Sequence, residues 1–228
     1  MMQLNGQTTN YMVFSRSQTE VATRLTVNSK TIDRIEEVKL VGVWIDTWLD
    51  WEKNTRELCR KAYARMTMIT KLKYAGVGKE DLLNIYTLYI RSLLEYCSVV
   101  WHSTLTAEQN NKLESVQKLC LKIILGSAYE GYESALQCCG LDSLRYRREQ
   151  KCLQFGLKNL LHPVHCSMLP VNQHPGQQPS SNTRRKEHFT VNYAKTDSYR
   201  MSAIPYIQKM LSDYVCVITQ IMCNTTCE

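Results

Sequence analysis

Two hydrophobic periods divide the chain. From residue 11 to about 45 apolar and polar positions alternate in short runs, YMVFSR, RLTVNSKTI and VKLVGVWID, rich in the β-branched and aromatic residues that suit a pleated strand. Asn28-Ser29 lies between two extended pieces and predicts a hairpin turn, although Gly is the usual second residue there. From Asp50 onward the apolar spacing becomes three and four, and the chain reads as helical to its end.

The first helix, about 51–75, sets Leu58, Ala62, Met66 and Ile69 on one side and stops near Gly76. A second is predicted at 79–103. The third opens at Thr106, where TAEQ has the form of a capping box, and ends before Gly126. A short helix at 130–139 stops at Gly140, a longer one runs from the N-cap Ser143 to about His162, and a last one begins at Ala203 or Pro205. Residues 163–183 gather Pro, Gln, Ser and Asn and read as a linker. The expected fold is therefore α+β: a small N-terminal antiparallel strand region followed by a mostly α-helical bundle. Its expected divisions are strands at 1–48, helices at 49–162, the linker at 163–183, and an extended segment with a helix at 184–228.

Within the second helix IYTLYIRSLLEYCSVVWH, residues 85–102, is apolar on almost every face, yet carries Arg91 and Glu95 one turn apart. A membrane span would bear about 2.5–3.5 kcal/mol for each charge near its centre, so a buried soluble helix is the cheaper reading. No nucleophile, further acid or metal cluster accompanies the two charges. They read as a structural pair, with each other or with neighbouring helices.

Composition narrows the function classes. Of 228 residues 28 are Lys or Arg and 21 Asp or Glu, a formal charge of +7, which favours an anionic partner. The opening MMQLNGQTTNYMVF lacks a basic region followed by a long apolar run, which argues against a cleaved signal peptide and for a chain inside the cell, in nucleus or cytoplasm, not secreted. Disulfides are then not expected of the ten cysteines; Cys59, Cys97, Cys120, Cys139 and Cys152 fall among apolar helical residues, where a thiol acts as a small hydrophobe. His162, His165 and Cys166, with His174, are zinc-ligand types, but their spacing fits no standard site and a solvated loop explains them. No phosphate-cradling Gly-rich loop or Gly-x-Ser-x-Gly elbow is present, so neither catalytic nor metal residues are expected, nor a small-molecule substrate.

Basic clusters are the stronger signal. The first helix carries Lys53, Arg56, Arg60, Lys61, Arg65, Lys71 and Lys73 against only Glu52 and Glu57. RYRREQK adds Arg145, Arg147 and Lys151, with Tyr146 as a stacking surface, while Arg148 falls toward the Leu144/Cys152/Phe155 side as a buried structural arginine. Two readings stand side by side for these clusters: contact with nucleic-acid phosphates, and a solvated helix face.

The order of several blocks resembles the C-terminal part of a non-LTR (LINE-like, Jockey-type) retrotransposon reverse transcriptase. MQLNGQTTNYMVF is similar to the segment after the palm active site. RLTVNSKTIDRIEEVKLVGVWIDTWLDW resembles the hairpin that follows, and IYTLYIRSLLEYCSVVWHSTLT, LESVQKLCLKIILGSAYEGYESALQCCGLDSLRYRRE and FTVNYAKTDSYRMSAIPYIQ resemble the downstream helical region. The resemblance covers about residues 2–214. It implies end-of-palm strands leading into a thumb-like region that meets RNA or DNA template–primer through the basic side chains named above. The family's palm carboxylates, which hold magnesium for nucleotidyl transfer, lie upstream of these blocks, and no Asp-Asp dipeptide occurs in the sequence. Thr8 stands where the post-palm block usually has Lys, and Leu40-Val41 where an aromatic-Leu pair usually precedes Gly42. The resemblance thus implies an RNA-directed DNA polymerase fragment, inactive by itself, needing no cofactor alone and prone to self-association through exposed former contact surface. A helical protein-interaction module is the alternative.

Overall fold

The computed structural model describes residues 9–14, 24–27, 29–160, 162, 164, 165 and 196–225, from 215 on by backbone alone. The fold is α+β, with short strands first and helices after. The strand region holds β1 (Asn10–Tyr11), β2 (Thr26–Val27), β3 (Lys30–Thr31), β4 (Asp33–Arg34), β5 (Glu37–Leu40) and β6 (Val43–Asp46). β2 and β3 are antiparallel with Val27 opposite Lys30, and Ser29 between them has φ 62°, the conformation that ordinarily recruits Gly; Asn28, expected beside it in the turn, lies outside the described residues. One detail differs from the expected antiparallel region: β1 pairs with β4 in parallel. VKLVGVWID forms the hairpin β5–β6, turning at Val41-Gly42.

The helices are α1 (Glu52–Tyr74), α2 (Lys79–Ile85), α3 (Ser92–Leu94), α4 (Ser98–Trp101), α5 (Ala107–Leu125), α6 (Tyr132–Cys139), α7 (Leu144–Leu160), α8 (Asp197–Arg200) and α9 (Ala203–Thr225). Leu58, Ala62, Met66 and Ile69 of α1 are buried as their spacing predicts, and they pack on α5 through Leu113, Val116 and Cys120. At α5 the capping box is complete: Gln109 N–H donates to Thr106 Oγ1 (3.2 Å) and Thr106 N–H to Gln109 Oε1 (2.9 Å). Gly126 closes the helix at φ 62°.

The expected continuous helix at 79–103 is broken. α2 passes through a π-helical stretch, Tyr86–Arg91, into α3, and the chain then turns at Glu95–Cys97, where Cys97 takes φ 50°, before α4 resumes. A π-helical turn widens the spiral and rotates the residues after it. That lets Tyr86, Ile90, Leu94 and Trp101 all reach the same core, each wholly buried. Tyr86 Oη–H donates to Gln117 Oε1 (2.5 Å), and Gln117 in turn donates to Tyr132 Oη (3.0 Å) and to the Asp142 carbonyl (2.9 Å), so the buried polar groups are linked across the π-helical stretch, α5 and α6.

The C-terminal helix belongs to the same helical body. Ile207 and Leu211 of α9 pack with Cys152 of α7, and Gly156 lets the two helices approach: a Cβ there would lie 2.6 Å from Ile207 Cγ2. Among the described residues no helix is long and apolar enough to cross a membrane. Of the expected linker 163–183, all but Val164 and His165 lies outside the described residues.

Candidate nucleic-acid interface

Helix α1 is 23 residues long, about 34 Å at 1.5 Å per residue, and its inner side is committed to the core. The opposite side carries Arg56, Arg60, Tyr63, Thr67, Lys71 and Tyr74, at steps of four and three, so they form one longitudinal stripe. All six are exposed, Tyr74 at 89%. Cations and aromatic rings therefore alternate along an open helix face. Tyr63 and Tyr74 were not singled out from sequence, although the same spacing that groups Arg56, Arg60 and Lys71 includes them.

The other nominated residues on α1 are engaged within the protein. Lys53 Nζ donates to Glu37 and lies 3.9 Å from the Trp44 ring centre. Arg65 stacks over Tyr89 at 4.2 Å and donates to its carbonyl, and Lys73 donates to the Ile123 carbonyl. Lys61 flanks the stripe, half-buried. Arg60 forks onto Glu57 (2.9 Å) while remaining exposed, whereas Arg56 and Lys71 have no ion-pair partner among the described residues. The first turn of α1 is a poor place for a phosphate. Glu36, Glu37, Asp46, Asp50 and Glu52 surround a hollow of about 230 Å³ beside Lys53 and Arg56, so the favourable part of the stripe runs from Arg60 to Tyr74.

The second cluster is largely turned inward. Glu95, 4% exposed, receives Arg147 Nε at 2.5 Å and Lys151 Nζ at 2.7 Å; Arg91 Nε on its own segment is 3.9 Å away. The expected pair Arg91/Glu95 is thus the loosest contact of a four-residue group, and two of the expected phosphate ligands are its cations. Burial pushes the Glu95 carboxyl up, but the bonds from Arg147 and Lys151 outweigh it and hold the group below its usual range. Burial and the nearby Arg147 lower the pKa of Arg91. Arg145 is exposed and paired with Glu149 (3.1 Å).

Arg148 is wholly buried, as its position on α7 suggests. Its Nε–H donates to His102 Nδ1 (3.3 Å), its Nη2 to Asn110 Oδ1 (2.9 Å), and Nη1 has no partner among the described residues. Burial, reinforced by this guanidinium, pulls the His102 pKa down to about 4. Burial likewise pushes the thiols of Cys120 to about 12 and Cys152 to about 11, which makes them inert packing groups.

No metal seat accompanies the stripe. Among the described residues no three His, Cys, Asp or Glu side chains gather where they could hold an ion. Around the acidic hollow the carboxylates serve the backbone instead: Asp46 Oδ1 accepts from Trp48 and Asp50 N–H, and Asp50 Oδ1 from Glu52 N–H. Among the described residues this hollow therefore gathers no seat for a divalent ion. His162 and His165 stack at 4.3 Å; Cys166 and His174, expected beside them, lie outside the described residues. No family model, no curated protein and no solved structure matches the chain.

Proposed function

We propose that this chain is the C-terminal fragment of a retrotransposon RNA-directed DNA polymerase, without the palm Asp-Asp and inactive alone, that binds template–primer nucleic acid through the outer face of α1. The exposed stripe Arg60-Tyr63-Lys71-Tyr74 is the observation that supports this reading. Lysine and arginine neutralise phosphates without regard to sequence, and tyrosine rings offer stacking surfaces to unpaired bases. α7 contributes Arg145 at most, since Arg147 and Lys151 neutralise Glu95. The test is a mobility-shift assay at low salt with a labelled DNA primer on an RNA template. The native chain retards it, Arg60→Gln/Lys71→Gln weakens retardation, and a parallel incubation with magnesium and nucleotides yields no extension. Retardation unchanged by that double substitution, or unaided primer extension, contradicts the reading.

The alternative, a protein-interaction module, is favoured by a separate observation. Leu88 and Val41 are each 76% exposed, with Tyr89 and Tyr96 also at the surface. An apolar contact of that kind is insensitive to salt, whereas phosphate binding is not.

A further inference from the structure

Among the described residues the register of the β5–β6 hairpin leaves one sheet edge without a partner strand. With a two-residue turn at Val41-Gly42, Leu40 and Val43 form a hydrogen-bonded pair, and such pairs recur at alternate positions: Val38 with Ile45, then Glu36 with Thr47. The Thr47 N–H to Glu36 carbonyl bond of 3.0 Å fixes that phase. The backbone groups of Glu37 and Lys39 therefore point away from β6, and those of Trp44 point away from β5. On the β6 side the edge is closed by α1, because Trp44 N–H donates to Asn54 Oδ1 (3.2 Å). On the β5 side β1 bonds as far as Ile35, whose N–H donates to the Tyr11 carbonyl (2.9 Å). Beyond it, no backbone partner among the described residues takes up Glu37 or Lys39.

We propose that this edge pairs antiparallel with the same edge of a second copy of the chain, about a two-fold axis through Val38. Outward-bonding residues must meet outward-bonding residues. An axis at Glu37 would set Glu37 against itself, and one at Lys39 would set Lys39 against itself. Only the axis at Val38 places each Glu37 opposite the Lys39 of the second copy, with both backbone pairs hydrogen-bonded. Directly opposed residues share a sheet face, so Val38 and Leu40 lie on the face of Ile45 and the buried Val43. Pairing extends that apolar row, including Leu40 at 58% exposure, across the junction, while on the other face each Lys39 joins Lys53 at the Glu37 of the second copy. Two marginal hairpins become one four-stranded sheet, and the exposed edge is removed. This association does not depend on nucleic-acid binding.

Sedimentation velocity of the full chain tests it. The native chain associates to a dimer, while K39E and E37K, each of which sets like charges opposite one another twice, associate at least about tenfold more weakly. A one-to-one mixture of the two variants brings opposite signs together again and recovers a dimer. A native chain that stays monomeric at its solubility limit, a dimer indifferent to K39E, or a mixture no stronger than either variant alone overturns the proposal.

Discussion

Glu95 Oε1 lies 2.5 Å from Arg147 Nε, 52 residues further along the chain. This contact joins the break between α3 and α4 to α7, and it answers why a charged group sits in an apolar segment: the carboxylate emerges where the helix stops and receives cations from another helix. Glu95→Gln leaves Arg91, Arg147 and Lys151 without their common counter-charge. Because Glu95 is buried but its partners are partly solvated, the expected loss is about 2–3 kcal/mol in urea denaturation. Lys151→Ala, whose side chain is 39% exposed, costs less than about 1 kcal/mol.

Burial of His102, reinforced by the Arg148 guanidinium, makes stability fall in acid. The folded pKa of His102 is about 4 against an ordinary 6.5, so between these values the unfolded chain holds a proton that the folded chain does not. Stability is therefore unaffected by this group above pH 6.5 and declines as pH falls toward 4, by about 3 kcal/mol in total. Glu95, held below its ordinary 4.5, adds a further loss below that pH, as its folded pKa is passed. Urea midpoints between pH 4 and pH 7 measure the slope, and His102→Gln flattens its upper part.

Helix α9 depends on a missing side chain. Ile207 and Leu211 are wholly buried against Gly156, and an added methyl would meet them at 2.6 and 2.9 Å. Gly156→Ala is expected to destabilise by about 1–3 kcal/mol despite its better helix propensity. In a double-mutant cycle Gly156→Ala costs less in an Ile207→Ala background, where the clashing Cγ2 is gone, than in the native chain.

The cap of α5 is a local contribution. Thr106→Ala removes the acceptor for Gln109 N–H and lowers stability by about 1 kcal/mol, measured by thermal denaturation.

Features encoded locally were legible in the sequence. Thr106 and Gly126 mark the two ends of α5 because caps act within four residues, and Leu58, Ala62, Met66 and Ile69 reveal the inner face of α1 by spacing alone. The break at Glu95–Cys97 was hidden because apolar residues continue through it, so nothing in the period marks a π-helical stretch or the positive φ of Cys97. The candidate site was half visible for the same reason. Spacing collects Arg56, Arg60 and Lys71, but the removal of Lys53, Arg65, Arg147 and Lys151 into internal contacts depends on Glu37, Tyr89 and Glu95, which only tertiary structure brings to them.

The most direct test of the nucleic-acid account is the salt dependence of template–primer binding by fluorescence anisotropy. The account predicts that log affinity falls linearly with log salt, and that Arg60→Gln and Lys71→Gln each reduce the slope by about one. A slope near zero, or one that both substitutions leave unchanged, contradicts it.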